Sequence, residues 1–268
     1  MLVGEELFIG LVGATGTDLG SVTTILSENL KDFGFETIPI KFSRFFDESY
    51  FTQKALDLKI DKSSSYSEIF SQMEAGNLLR KKFESNSVLA RFAVQSIRAK
   101  RQEVNKKRAF VFQSLKNPEE TKLLRETYGL AYYQIGVFSS QTDRVKFLEK
   151  KKGIKTSDAH KLIEKDISEE EDHGQQTRDT FQLSDIFIKS DPSNEESIKS
   201  QLSRILDLLF GHPHVTPTLD EHMMYTAFAY SSRSADLSRQ VGAVLTNSSG
   251  DVIGLGSNDV PKFQGGPY

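Results

Sequence analysis

The chain of 268 residues contains no cysteine. Disulfides and thiolate-held zinc are therefore excluded within it, and the cytoplasm is the expected compartment. No apolar stretch approaches the roughly 20 residues a membrane-spanning helix needs. The N-terminal "MLVGEELF" has no basic segment ahead of an apolar one, so it does not read as a signal peptide. Excess charge of either sign is also missing. The formal net charge is -3, which provides no global attraction to nucleic acid or to a membrane surface. The basic run "RAKRQEVNKKR" (98–108) is offset by the acidic run "EKDISEEED" (164–172). What remains is a globular composition, 37% hydrophobic and 26% charged, long enough for one large domain or two smaller ones.

The most informative absence lies near the start. In "LFIGLVGATGTDLGSVTTIL" an apolar run, Leu7 to Val12, leads into Gly13, Gly16 and Gly20, and a helical apolar pattern follows. Such a strand–loop–helix unit points backbone N–H groups and a helix N-terminus at an anion. A working phosphate loop reads G-x-x-x-x-G-K-[ST], its lysine reaching the terminal phosphates and its hydroxyl holding magnesium. Counted from Gly13, the last three positions of that pattern are Asp18, Leu19 and Gly20. Both working side chains are missing, and Asp18 would repel a phosphate. Thr17 and Ser21 are nearby hydroxyls out of register. Two readings stay open: a tight βα turn that binds nothing catalytically, or a nucleotide bound through backbone amides in a loop whose candidate residues are Gly13, Gly16, Thr17 and Ser21.

Elsewhere strands and helices alternate, as in a parallel α/β sheet with helices on both faces. The pattern predicts strands at 6–13, 36–42, 107–115, 130–138 and 183–190. It predicts helices at 19–33, 117–129, 142–152 and 195–210, with several more between 45 and 104. Asn117 is read as an N-cap with Pro118 in the first helical position. A charged insert without assigned structure follows residue 152. Residues 1–210 thus form a first domain. "GHPHVTPTLDE" (211–221) reads as a linker, and 222–268 as the start of a second domain: one helix, then a hairpin of 241–246 and 251–256 around a turn at 247–250.

Two resemblances follow from quoted residues. "VFQSLKNPEETKLLRETYG…YYQIGVFSSQTDRVKFL" and "QQTRDTFQLSDIFIKS", behind the glycine loop, resemble P-loop nucleotide kinases, with Arg144 placed like a lid arginine. "HMMYTAFAYSSRSADLSRQVGAVLTNSSGDVIGLGSNDVPK" resembles the opening of the deoxycytidylate deaminase family, matching at Ser232, Arg233, Ser234, Arg239 to Val244, Gly256, Asn258 and Pro261. The order of the two halves is similar to that of the bacterial anti-phage deoxycytidine nucleotide deaminases.

That resemblance implies hydrolysis of dCTP and dCMP to deoxyuridine nucleotides, deoxycytidine nucleotides as ligands, and a small RNA antitoxin as a partner of some members. A homo-oligomer is expected. It further implies substrate contacts from Arg233, Arg239 and Asn258, with Gly242 and Ala243 allowing close approach to their strand. Zinc deaminases use H-x-E and P-C-x-x-C. None of His160, His173, His212, His214 and His222 has Glu two positions on. Neither catalytic nor metal residues are therefore assigned, and zinc is expected on residues beyond Tyr268. The alternatives are a divergent nucleotide kinase and a non-catalytic nucleotide-binding regulator.

Overall fold

The computed structural model describes residues 6–47, 60–101, 106–168, 174, 176–191 and 194–261. Parts of the helical region predicted between 45 and 104 lie outside the described residues. The chain divides into two compact units, Met1–Phe210 and Gly211–Tyr268.

In the first unit, β1 (Glu6–Val12) runs into α1 (Leu19–Asp32), followed by β2 (Glu36–Lys41) and a single helical turn, α2 (Arg44–Asp47). Helices α3 (Ser65–Lys82) and α4 (Val88–Lys100) precede β3 (Arg108–Gln113). Next come α5 (Pro118–Tyr128), β4 (Tyr132–Phe138), α6 (Gln141–Lys152) and α7 (Thr156–Ser168). The unit ends with α8 (Thr177–Gln182), β5 (Ile186–Lys189) and α9 (Glu195–Leu209). The five strands form one sheet in the order β2-β3-β1-β4-β5, and each neighbouring pair is parallel. With a glycine loop joining the central β1 to α1, this is the α/β architecture of P-loop kinases.

Period-two alternation along β1 sorts the core into two layers. Leu7, Ile9 and Leu11 pack with α1 and α9 on one face. Phe8 and Val12 pack with Phe110 and Phe112 of β3 and with α3 and α4 on the other. A third cluster joins Met73 of α3, Val145 and Leu148 of α6, and Ala159, Leu162 and Ile163 of α7. It fixes the last two helices against α3.

Most strand limits fall within two or three residues of the predicted ones, but two features differ in kind. Residues Gly129–Ala131 form a 3-10 turn, so β4 begins only at Tyr132. The charged insert is not structureless, because α7 occupies much of it. Its stripe of Ala159, Leu162 and Ile163 has the helical spacing that the dense charge around it obscured.

The second unit consists of α10 (Leu219–Ser231) and an antiparallel hairpin of β6 (Gly242–Thr246) and β7 (Val252–Ser257). Helix α10 starts inside the predicted linker. Thr218 accepts from Glu221 N–H while the Glu221 side chain accepts from Thr218 N–H, a reciprocal cap that sets the start at Leu219, next to the Asp220 at which "DEHMMYTAFAYSSRS" reads as a helix.

Candidate functional site

The loop between β1 and α1 closes on itself first. Thr17 N–H donates to the Ala14 carbonyl at 2.9 Å. Asp18 caps α1: its carboxylate accepts from Ser21 N–H at 3.0 Å and from the Ser21 hydroxyl at 2.8 Å. Two of the groups an anion would seek at this helix end are therefore taken by the chain's own carboxylate. Gly16 has φ +91°, and a Cβ there would stand 3.0 Å from the Arg144 carbonyl oxygen. Its side chain is excluded both by backbone conformation and by the approach of α6. Gly13 faces inward: a Cβ there would meet the Leu19 and Thr17 side chains at 3.1 Å.

Another N–H of the loop is also occupied. Thr15 N–H donates to Asp166 Oδ2 at 2.7 Å, bringing a carboxylate of α7 onto the glycine loop. The same carboxylate accepts from Lys116 Nζ at 2.9 Å and from the Thr177 hydroxyl at 3.0 Å. Lys116, in the turn after β3, also reaches the Gly13 carbonyl at 3.2 Å and Thr15 Oγ1 at 3.4 Å. Arg144 Nη1 donates to the Thr15 carbonyl at 3.3 Å. The lysine that the loop lacks in sequence register thus arrives from another strand, together with a carboxylate that neutralises it.

This ion pair is well shielded, its side chains being 15% (Lys116) and 2% (Asp166) exposed. Burial alone would push the Asp166 carboxyl up. Lys116, the Thr15 N–H and the Thr177 hydroxyl outweigh it and hold the group below the usual carboxylate range. Burial lowers the Arg144 guanidinium below its ordinary value, with Asp166 opposing. For Asp166 the folded pKa lies below the unfolded value of about 3.9. Its contribution to stability is then present above that pH and is lost as pH falls through the lowered folded value. Denaturant titrations from neutral pH to about pH 2 should show a steeper loss of stability below about pH 4 for the wild type than for Asp166→Asn. Parallel curves would mean that the pair is not linked to folding.

A second buried pair supports Lys116 from below. Arg80 Nη2 donates to Glu120 Oε1 at 2.9 Å, the side chains being 2% and 0% exposed. The other oxygen, Oε2, accepts from Lys116 N–H at 2.9 Å and from Asn117 N–H at 3.2 Å. Asn117 in turn caps α5, with Pro118 in the first helical position. One carboxylate therefore ties the cation of α3 to the turn that presents Lys116.

Around this arrangement lies a cleft of about 330 Å³ between the loop, the ends of β2 and β3, and α3, within the range of small-ligand sites. Its lining includes four basic residues, Lys41, Arg80, Lys116 and Lys152, against one acid, Asp18. Thr17 Oγ1 and Arg80 Nε, both in the lining, are buried and make no hydrogen bond among the described residues. Phe147 lines this cleft and also an adjoining hollow of about 310 Å³ with Lys146, Lys150 and Lys151. The Lys152 ammonium lies 6.0 Å from the Phe147 ring centroid.

The expected loop residues Gly13, Gly16, Thr17 and Ser21 do come together. However, the Ser21 N–H and hydroxyl serve the helix cap, and the Cα of Gly16 seats α6. In the second unit, Asn258 Oδ1 accepts from Val241 N–H at 2.7 Å and Asn258 Nδ2 donates to the Arg239 carbonyl at 2.8 Å. Both polar ends of this amide pin the start of β6, and a substrate contact there would have to replace one of them. The Arg233 guanidinium donates to the Tyr230 hydroxyl at 2.5 Å and lies over that ring at 5.2 Å. Arg239 is held by its backbone N–H, donating to Asp236 at 2.8 Å, with its side chain exposed. At Gly242 it is a helix that approaches the strand closely. A Cβ would overlap the Ala227 carbonyl oxygen and stand 2.6 Å from Ser231 N.

Metal ligands do not assemble. No group of three His, Cys, Asp or Glu side chains converges among the described residues. With no cysteine in the chain, the donor set does not fit a deaminase zinc. The loop does not fit magnesium either, because Gly20 stands where a hydroxyl is needed and Ser21 is bonded to Asp18. Among the described residues no helix is long and apolar enough to cross a membrane.

Lys116, Asp166, Arg80 and Glu120 were not read from sequence as site residues. Asp166 had a detectable signal, since it falls seven residues after Ala159 on the apolar stripe of α7. A carboxylate in that register must find a partner on folding.

No protein-family model matches the sequence, and no curated protein matches it. Among solved structures the chain is similar to the shikimate kinase from Acinetobacter baumannii in complex with shikimate (TM-score 0.41, 11% identity, 78% of this chain and 95% of that one). It is also similar to the shikimate kinase from Bacteroides thetaiotaomicron (TM-score 0.43, 10% identity, 75% and 98%). A third similar structure is a gluconokinase from Sinorhizobium meliloti (TM-score 0.38, 10% identity, 78% and 98%).

Proposed function

We propose that the first unit is a nucleotide-binding domain of P-loop kinase-like fold that recognises its ligand without transferring a phosphoryl group. The carrying observation is the cleft beside the glycine loop, lined by Lys41, Lys152, the Asp166-paired Lys116 and the Glu120-paired Arg80, where Arg80 Nε and Thr17 Oγ1 are buried without a hydrogen bond among the described residues. Such a lining suits a phosphate, and the Phe147 ring beside it suits a base. Absence of an in-register lysine and hydroxyl removes the two side chains that stabilise transfer.

Calorimetry on the full chain should detect at least one nucleoside mono- or triphosphate, with the matching nucleoside at least about 10-fold weaker, a difference of about 1.4 kcal/mol. ATP consumption in the presence of candidate acceptors should stay at background. Failure of every nucleotide to bind would remove this reading, and ATP-dependent phosphorylation would replace it with a kinase.

A second reading concerns the second unit. The ordered match at Arg233, Arg239 to Val244, Gly256, Asn258 and Pro261, and the close seat of α10 on Gly242, favour the front of a deoxycytidine nucleotide deaminase domain. In that reading the first unit biases the deaminase, and the described residues do not themselves make up its zinc site. Release of ammonia from dCMP or dCTP by a protein carrying these residues, and its loss on Asn258→Ala, is the corresponding test.

A further inference from the structure

The Asp166 carboxylate sits where a bound anion belongs. Its two oxygens take a loop N–H (Thr15, 2.7 Å), an ammonium (Lys116, 2.9 Å) and a hydroxyl (Thr177, 3.0 Å). Amide, ammonium and hydroxyl are also the donors that hold a phosphate at a strand–loop–helix unit. Asp166 lies two residues before the end of α7, where the helix dipole disfavours negative charge. Its placement there is favoured by the glycine loop and Lys116, not by its own helix.

From this geometry we infer that Lys116 is the phosphate-binding lysine of the cleft, and that Asp166 is a built-in competitor that the ligand's phosphate must displace. The inference rests on the cleft being a phosphate site, and it adds which residue grips the phosphate and what opposes it. Lys116 qualifies because its ammonium already lines the cleft and touches the loop at Gly13 and Thr15. Its backbone is held by Glu120, so the side chain can exchange one anion for another without moving the turn. Asp166 qualifies as the mobile partner because its helix is fixed mainly by the small cluster of α3, α6 and α7, separate from the two layers that cover the sheet. Displacement of the carboxylate would therefore loosen α7 without opening the main core, and ligand binding would be reported at α7.

The test uses the full chain with inorganic pyrophosphate and with a nucleoside triphosphate as probes. Calorimetry should give at least a 10-fold tighter pyrophosphate affinity for Asp166→Asn than for the wild type, a change of about 1.4 kcal/mol. Lys116→Met should weaken it at least 10-fold. If all three proteins bind the probes within a factor of about 2 of one another, the pair is structural only and the inference falls while the cleft reading survives. If none binds either probe, both fall. Should Asp166→Asn fail to fold, the wild type alone decides by amide hydrogen exchange. Saturating pyrophosphate should speed exchange in residues 156–168 and slow it in the glycine loop. Bound ligand with unchanged exchange in α7 overturns the inference.

Discussion

Glu120→Ala should be among the most destabilising single changes in the first unit, costing about 3–5 kcal/mol in denaturant unfolding. The substitution leaves the Arg80 guanidinium, whose side chain is 2% exposed, without its carboxylate. It also leaves the N–H groups of Lys116 and Asn117 without their acceptor and removes half of the α5 capping box. Each loss alone is ordinary, but together they remove both the charge and the hydrogen-bond partners in one buried place. Adding Arg80→Met should recover part of the stability, because the stranded charge is then gone while the unpaired amides remain. A loss below about 1 kcal/mol for Glu120→Ala would place the pair among ordinary surface ion pairs. Since Glu120 also holds the turn that presents Lys116, the same variant should weaken binding of phosphorylated ligands even under conditions where it stays folded.

The second large effect belongs to the second unit. Gly242→Val would drive a branched side chain into the Ala227 carbonyl and toward Ser231 N, both backbone atoms of α10 that cannot rotate away. The helix must leave the hairpin. Amide protection in residues 219–231 and 242–257 should fall at least about 10-fold, the equivalent of about 1.4 kcal/mol. Gly256→Ala is the matched control, because a Cβ there has open space around it, and its exchange pattern should follow the wild type. Equal protection in Gly242→Val and Gly256→Ala would show that α10 is not seated on β6 in solution. This unit tolerates little loss. None of the α10 residues is buried, and Met224, Tyr225, Phe228, Leu245 and Ile253 are all exposed. Little apolar burial is available within it to offset a lost contact.

Legibility in the sequence tracked the distance over which each feature is decided. The β1–loop–α1 unit was readable because an apolar run, three glycines and a helical apolar pattern follow one another within a few residues; the Asp18 cap was not. Asn117 and Pro118 announced α5 for the same reason. By contrast, α7 disappeared into a charge run, since "EKDISEEED" looks the same whether its acids face water or one of them turns inward. The 3-10 turn before β4 was hidden by the apolar and aromatic residues that continue through it.

Local pattern alone determined that this chain has a glycine loop at the head of a parallel sheet and that the loop lacks its lysine and hydroxyl. Only folding decided that the loop is not left bare. Thr15 and Asp166 are 151 positions apart, and Lys116 and Asp166 are 50 apart, separations across which no periodicity or spacing rule speaks. They meet because the sheet order places the β3 turn beside the loop and the α3–α6–α7 cluster carries α7 over it. Once there, buried charges of opposite sign have no better partner than each other.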